Sequence, residues 1–150
     1  MEHLYKRHII MFVVMVLVGM MFNPMNILAY DISHIYISLT LFYSGLLMAS
    51  NMIWAHEIVH YLDKGHFNKN VFIIGIIFSI FSIFLLRKQL FVDDNNWLRR
   101  MIPHHSTALT TTSKLIEKNK SVRENSKLYR LAQDIVYNQE REILFMKSML

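Results

Sequence analysis

The chain of 150 residues contains no cysteine, which excludes disulfides and thiolate metal sites and leaves the redox compartment open. It has two prolines and four glycines, so interruptions of a helical pattern are few and each is informative. Charge is scarce in the first half: residues 1–86 hold four Lys or Arg against four Asp or Glu, and residues 87–150 hold twelve against seven. The whole net charge of +5 therefore lies in the tail. No phosphate-binding glycine loop and no nucleophile–base pair is present, so neither of these routes to an enzyme is open. Nucleic-acid recognition motifs are also missing. Lys114, Lys118, Lys120, Arg123, Lys127 and Arg130 cluster with Tyr129 as the one aromatic nearby, which reads as a solvated face touching anionic headgroups.

What the sequence has in excess is apolar residues, at 53% with a mean hydropathy of +0.27, more than a soluble core of this size needs. Ile9 to Tyr30 runs 22 residues without a formal charge, Ile35 to Ala55 runs 21, and Val71 to Leu86 runs 16. The first two are long enough to cross a bilayer. The third reaches roughly 24 Å at the helical rise, unless Arg87 and Lys88 snorkel and Leu90-Phe91-Val92 extend it. The expected fold is all-α, with a membrane domain over 1–92 whose spans cover about 9–30, 35–58 and 71–90. A signal peptide is the alternative for the first segment, but Ile27-Leu28-Ala29 is a poor small-x-small cleavage site.

Lys6 and Arg7 precede the first span, no Lys or Arg lies between Asn23 and His34, and Lys64 and Lys69 lie between the second and third. This pattern places the N-terminus in the cytoplasm and residues 93–150 outside it, although Arg87, Lys88, Arg99 and Arg100 oppose the assignment. In the tail, Asp93-Asp94-Asn95-Asn96 can cap a helix start. Leu98, Ile102, Leu109, Leu115 and Ile116 form an imperfect stripe to about Lys118, with Pro103 expected to kink or restart the helix. Asn119-Lys120-Ser121 is the expected turn. A second stripe runs through Leu128, Leu131, Ala132, Ile135, Ile143, Met146 and Leu150. The resulting αα-hairpin over 93–150 buries little alone, so it is expected to pack on a second copy, completing a four-helix bundle, or on extensions of the spans.

Met101-Ile102-Pro103-His104-His105, followed by Gln139, Glu142, Ile143, Met146 and Leu150, resembles the domain of unknown function 305 family, helical domains of the ferritin-like superfamily. A subgroup with three N-terminal spans is similar over nearly the whole chain. The resemblance implies an extracytoplasmic protein that binds copper or silver through Met and His. Two departures stand out: Thr111 where the family often has Met, and Met149 where it often has Trp.

The residues carry a reading of their own. Met101 with His104 and with His105 are i, i+3 and i, i+4 pairs, and Gln139, Glu142, Met146 and Met149 share one face of the second helix. Imidazole plus thioether suits Cu(I), with Ag(I) as its surrogate, and disfavours zinc. The expected ligands are Met101, His104, His105, Met146 and Met149, with Gln139 and Glu142 supporting them from behind. The competing reading makes the methionines core filler and the histidines surface polar residues at a kink. His56-Glu57-Ile58-Val59-His60 matches H-E-x-x-H, a zinc-protease pattern, but a catalytic zinc needs a third protein ligand. Neither Asp63 nor His66 sits in a pattern that assures one, so His56, Glu57 and His60 are a secondary candidate that also fits a polar interfacial collar. The sequence thus points to a membrane-anchored protein that sequesters Cu(I) or hands it to an unidentified partner. The alternative is a structural membrane protein with an oligomerising hairpin, and a zinc membrane protease is more remote.

Overall fold

The computed structural model describes residues 2–118 and 126–150. Among them the chain is helical, with no strand: α1 (Glu2–Met21), α2 (Pro24–Ile27), a 3-10 turn (Ile32–His34), α3 (Leu39–Lys64), α4 (Lys69–Lys88), α5 (Asp94–Lys118) and α6 (Ser126–Lys147). The expected turn at Asn119-Lys120-Ser121 lies outside the described residues.

The boundaries follow local chemistry. α1 stops at Met21 instead of running to residue 30, because Pro24 lacks an N–H and disfavours helical backbone at Asn23. α3 ends at Gly65, whose φ of 67° is the left-handed conformation that closes helices, with its N–H donating to the Tyr61 carbonyl at 2.8 Å. Asn68 caps α4 by accepting the Val71 N–H. α4 gains its length at Lys69–Asn70 and at Arg87–Lys88, not at Leu90–Val92, and its 20 residues reach about 30 Å. Asp93 caps α5 by accepting the Asn96 N–H at 2.7 Å. α5 then passes through Pro103 without restarting. The proline is buried there, so packing offsets the hydrogen bond it cannot give to Arg99.

Contacts divide the chain into two units, residues 1–23 with 39–92 and residues 24–38 with 93–150. In the first, α3 packs on both α1 and α4. The helices approach through small residues: a Cβ on Gly45 would lie 2.9 Å from the Val16 carbonyl oxygen, and one on Gly75 would lie 3.0 Å from the Trp54 nitrogen. Ser50, Ser79 and Ser82 are buried, while Leu17, Ile77, Ile80 and Phe84 are exposed. The serines bond inward, Ser50 to the Leu46 carbonyl, Ser82 to that of Phe78, and Ser79 to Asn51 Oδ1. Small polar groups inside and large apolar ones outside reverse the arrangement of a water-soluble bundle. Two described helical stretches, Tyr5–Ile27 and α4, are long and apolar enough to cross a membrane. α3 is not among them, since Asn51, His56 and Glu57 interrupt it.

In the second unit, α5 and α6 form an antiparallel hairpin around Leu98, Ile102, Leu109, Ile143 and Met146, with Tyr36, Met101 and Val136 packed against them. Burial of each large aliphatic contributes about 1.5–3 kcal/mol. The segment 24–38, expected to belong with the first half, lies along α5 instead. The Tyr30 N–H donates to Ser106 Oγ at 2.7 Å, His34 Nδ1 is 2.9 Å from the same oxygen, and Thr107 Oγ1 donates to the Met25 carbonyl at 3.1 Å. Lys147 donates to Ser33 Oγ at 2.9 Å. The hairpin's missing cover is therefore supplied in part by its own chain.

Candidate functional site

The hairpin brings four of the expected residues onto facing turns. Met101 and His105 are one turn apart on α5, and Glu142 and Met146 are one turn apart on α6. Because the helices are antiparallel, they pair as two rungs. Met101 packs against the cluster that contains Met146, which is 5% exposed. His105 Nδ1 lies 2.9 Å from Glu142 Oε2, with the imidazole largely buried and the carboxylate half exposed. A carboxylate on Nδ1 fixes the ring and leaves Nε2 as the nitrogen able to ligate.

The other expected residues are placed differently. His104 is exposed, its ring 5.9 Å from that of His105. Burial, then the neighbouring His105 and Arg100, hold the His104 imidazole below its ordinary value, which favours the neutral form. Burial likewise lowers Arg100. Met149 is exposed and lies beyond the end of α6, so the helical spacing that suggested it does not reach that far. Gln139 is half-buried one turn before Glu142. As a donor set, two thioethers and an imidazole nitrogen fit a soft monovalent ion such as Cu(I).

A second constellation lies in the first unit. Glu57 is 3% exposed. One of its oxygens accepts the Asn68 N–H at 3.0 Å, while the other lies 3.3 Å from His8 Nε2 and 3.9 Å from His56 Nδ1. His8, His56 and Glu57 bring one ligand atom each within 4.8 Å of one another, the group of this kind formed among the described residues. His60, the second histidine of the H-E-x-x-H pattern, is not part of it. Its ring stacks 6.1 Å from that of His56, and its Nδ1 is 2.9 Å from the His66 carbonyl. Sequence reasoning missed His8. The sole signal was a histidine in the opening turns of an apolar helix, 48 positions before the motif it joins.

Residues 87–150 match the family described as Domain of unknown function (DUF305). An uncharacterized protein of Acanthamoeba polyphaga mimivirus is 35% identical over 130 residues, covering 85% of this chain and 81% of that protein. That similarity extends into the apolar half as well as the tail. No solved structure matches the chain. On the matched tail and the length shared with that relative, the chain belongs to the DUF305 family.

Proposed function

We propose that the chain is a membrane-anchored metal-binding protein that holds Cu(I), with Ag(I) as its surrogate, without turning anything over. The observation that carries this reading is the pair of rungs, with Met101 against the Met146 cluster and His105 held by Glu142. Two thioethers drawn from a water-excluding core offer a soft ion a dry, polarizable seat, and the oriented imidazole supplies the third donor. His104, exposed next to His105 in the chain, and Met149, exposed beyond the end of α6, are the outer donors through which an ion enters.

The membrane anchor is α1, α3 and α4 as three spans. Two of them are apolar enough on their own, and the inward serines and glycines support placing α3 between them, away from lipid. The hydrogen bonds of Tyr30 and His34 with Ser106 favour an odd number of spans. They need the connection after α1 and the tail after α4 on one side of the bilayer. Lys6 and Arg7 before α1 support taking that side as the exterior, against the pull of Arg87, Lys88, Arg99 and Arg100. Metal analysis of full-length protein purified in mild detergent and loaded with Cu(I) under anaerobic conditions tests the reading. One copper per chain is expected, with loss in His105→Ala; a wild type that retains none would sink it.

A second reading rests on α6. Tyr137 and Leu144, seven residues apart on one face, are both strongly exposed, which favours a structural protein whose hairpins self-associate into a four-helix bundle. The two readings are compatible, and metal content separates them.

A further inference from the structure

We propose that His8, His56 and Glu57 form a second cation site, for a borderline divalent ion of the Zn(II) type, that clamps the start of α1 to the end of α3. It is distinct from the soft site and independent of it.

The donor set is two imidazoles and one carboxylate, without sulfur, a combination that zinc accepts and that leaves a fourth position for water. The geometry is already close. Two ligands of a tetrahedral ion with bonds of ~2.0 Å stand about 3.3 Å apart, and His8 Nε2 and Glu57 Oε1 are separated by 3.3 Å. His56 Nδ1 is 3.9 Å from the same oxygen, on a side chain exposed enough to swing the remainder. Glu57 is held in place from behind, since its other oxygen takes the Asn68 N–H that opens α4. A cavity of about 240 Å³ lined by Arg7, Met11, Asp63 and Lys64 opens on these three residues, which leaves room for the fourth ligand.

The physical need for a cation is equally specific. A carboxylate buried at the end of an apolar bundle is costly unless an opposite charge meets it. A divalent ion held by both imidazoles would bring its charge to Glu57 directly, across the 3.3 Å and 3.9 Å gaps that separate the two rings from the same oxygen. In this arrangement Glu57 is a ligand and His60 is not, so the site differs from the H-E-x-x-H zinc pattern, in which the two motif histidines bind and the glutamate acts as a base.

The test is a Zn(II) titration of the full-length protein in mild detergent against a chromogenic chelator. It is done in a His104→Ala/His105→Ala background, so that failure here leaves the Cu(I) reading untouched. One Zn(II) per chain is expected. His8→Gln, His56→Gln and Glu57→Gln should each weaken it by more than about tenfold, while His60→Gln leaves it unchanged. Co(II) in place of Zn(II) should give the intense visible bands of a four-coordinate ion, lost in His8→Gln, with circular dichroism confirming that each variant stays helical. If Glu57→Gln does not fold, His8→Gln and the Co(II) spectrum decide alone. Binding that is absent, that is equal in His8→Gln and the parent, or that is lost in His60→Gln but not in His8→Gln, overturns the proposal.

Discussion

The backbone N–H of Tyr30 donates to Ser106 Oγ at 2.7 Å, joining residues 76 positions apart. Ser106 is fully buried and also meets His34, so its hydroxyl makes two of the ties, beside that of Thr107 to Met25, that fasten the segment after α1 to the middle of α5. Ser106→Ala should leave a partly buried N–H unpaired and cost about 1–3 kcal/mol. Thr111→Ala, on the exposed side of the same helix, should change stability by less than about 0.5 kcal/mol. Denaturant unfolding of the two variants in detergent makes the comparison, and equal effects would show that the tie is not structural.

The same tie bears on topology. Because the chain has no cysteine, single cysteines report cleanly. Ser33→Cys and Ser148→Cys should both react with an impermeant thiol reagent in intact cells, and Asn70→Cys, at the opposite end of α4, should not. Reaction at position 33 without reaction at 148 contradicts three spans.

His34 gives stability a pH dependence. Burial, aided by Lys147 and opposed by Asp31, holds its imidazole below the usual 6.5. The unfolded chain therefore takes up the proton at higher pH than the folded one. The contribution is complete above about pH 6.5 and is lost as the pH falls through that value toward the lowered folded one. Unfolding midpoints measured above and below pH 6.5 should drop on the acid side, and His34→Gln should flatten that drop. An unchanged slope in His34→Gln assigns it to another group.

Much of the tail was legible because its signals are local. The Asp93 cap, the stripe through Leu98, Ile102 and Leu109, and the facing positions of Met101, His105, Glu142 and Met146 all follow from spacing along two helices. Of the two outcomes expected at Pro103, a restart is not what the chain does, since α5 runs through the buried proline as one helix. Two features could not be read. Segment 24–38 carries no periodicity, so nothing in it announces that Tyr30 and His34 meet Ser106. His8 joins Glu57 across 49 positions, a partnership set by how α1 packs on α3 and not by any motif.

The core of the hairpin should respond to volume as a close-packed interior does. Ile102→Ala, at a fully buried position, should cost about 2–5 kcal/mol. Met146→Leu keeps shape and apolarity and should cost less than about 1.5 kcal/mol. Thermal unfolding of the full-length variants without added metal checks both, and a Met146→Leu protein that fails to fold would show that the sulfur is needed for packing itself.

Since Met146→Leu removes the thioether while sparing the core, it gives the most direct test of the soft site. Cu(I) is titrated into the wild type, Met146→Leu, His105→Ala and Met149→Leu in competition with a chromogenic chelator. The account predicts tight binding by the wild type, a clear loss in His105→Ala, a measurable weakening in Met146→Leu, and the smallest effect in Met149→Leu, whose thioether lies beyond the helix. Equal affinity in all four proteins, or none tighter than that of an arbitrary methionine-containing helix, would contradict it.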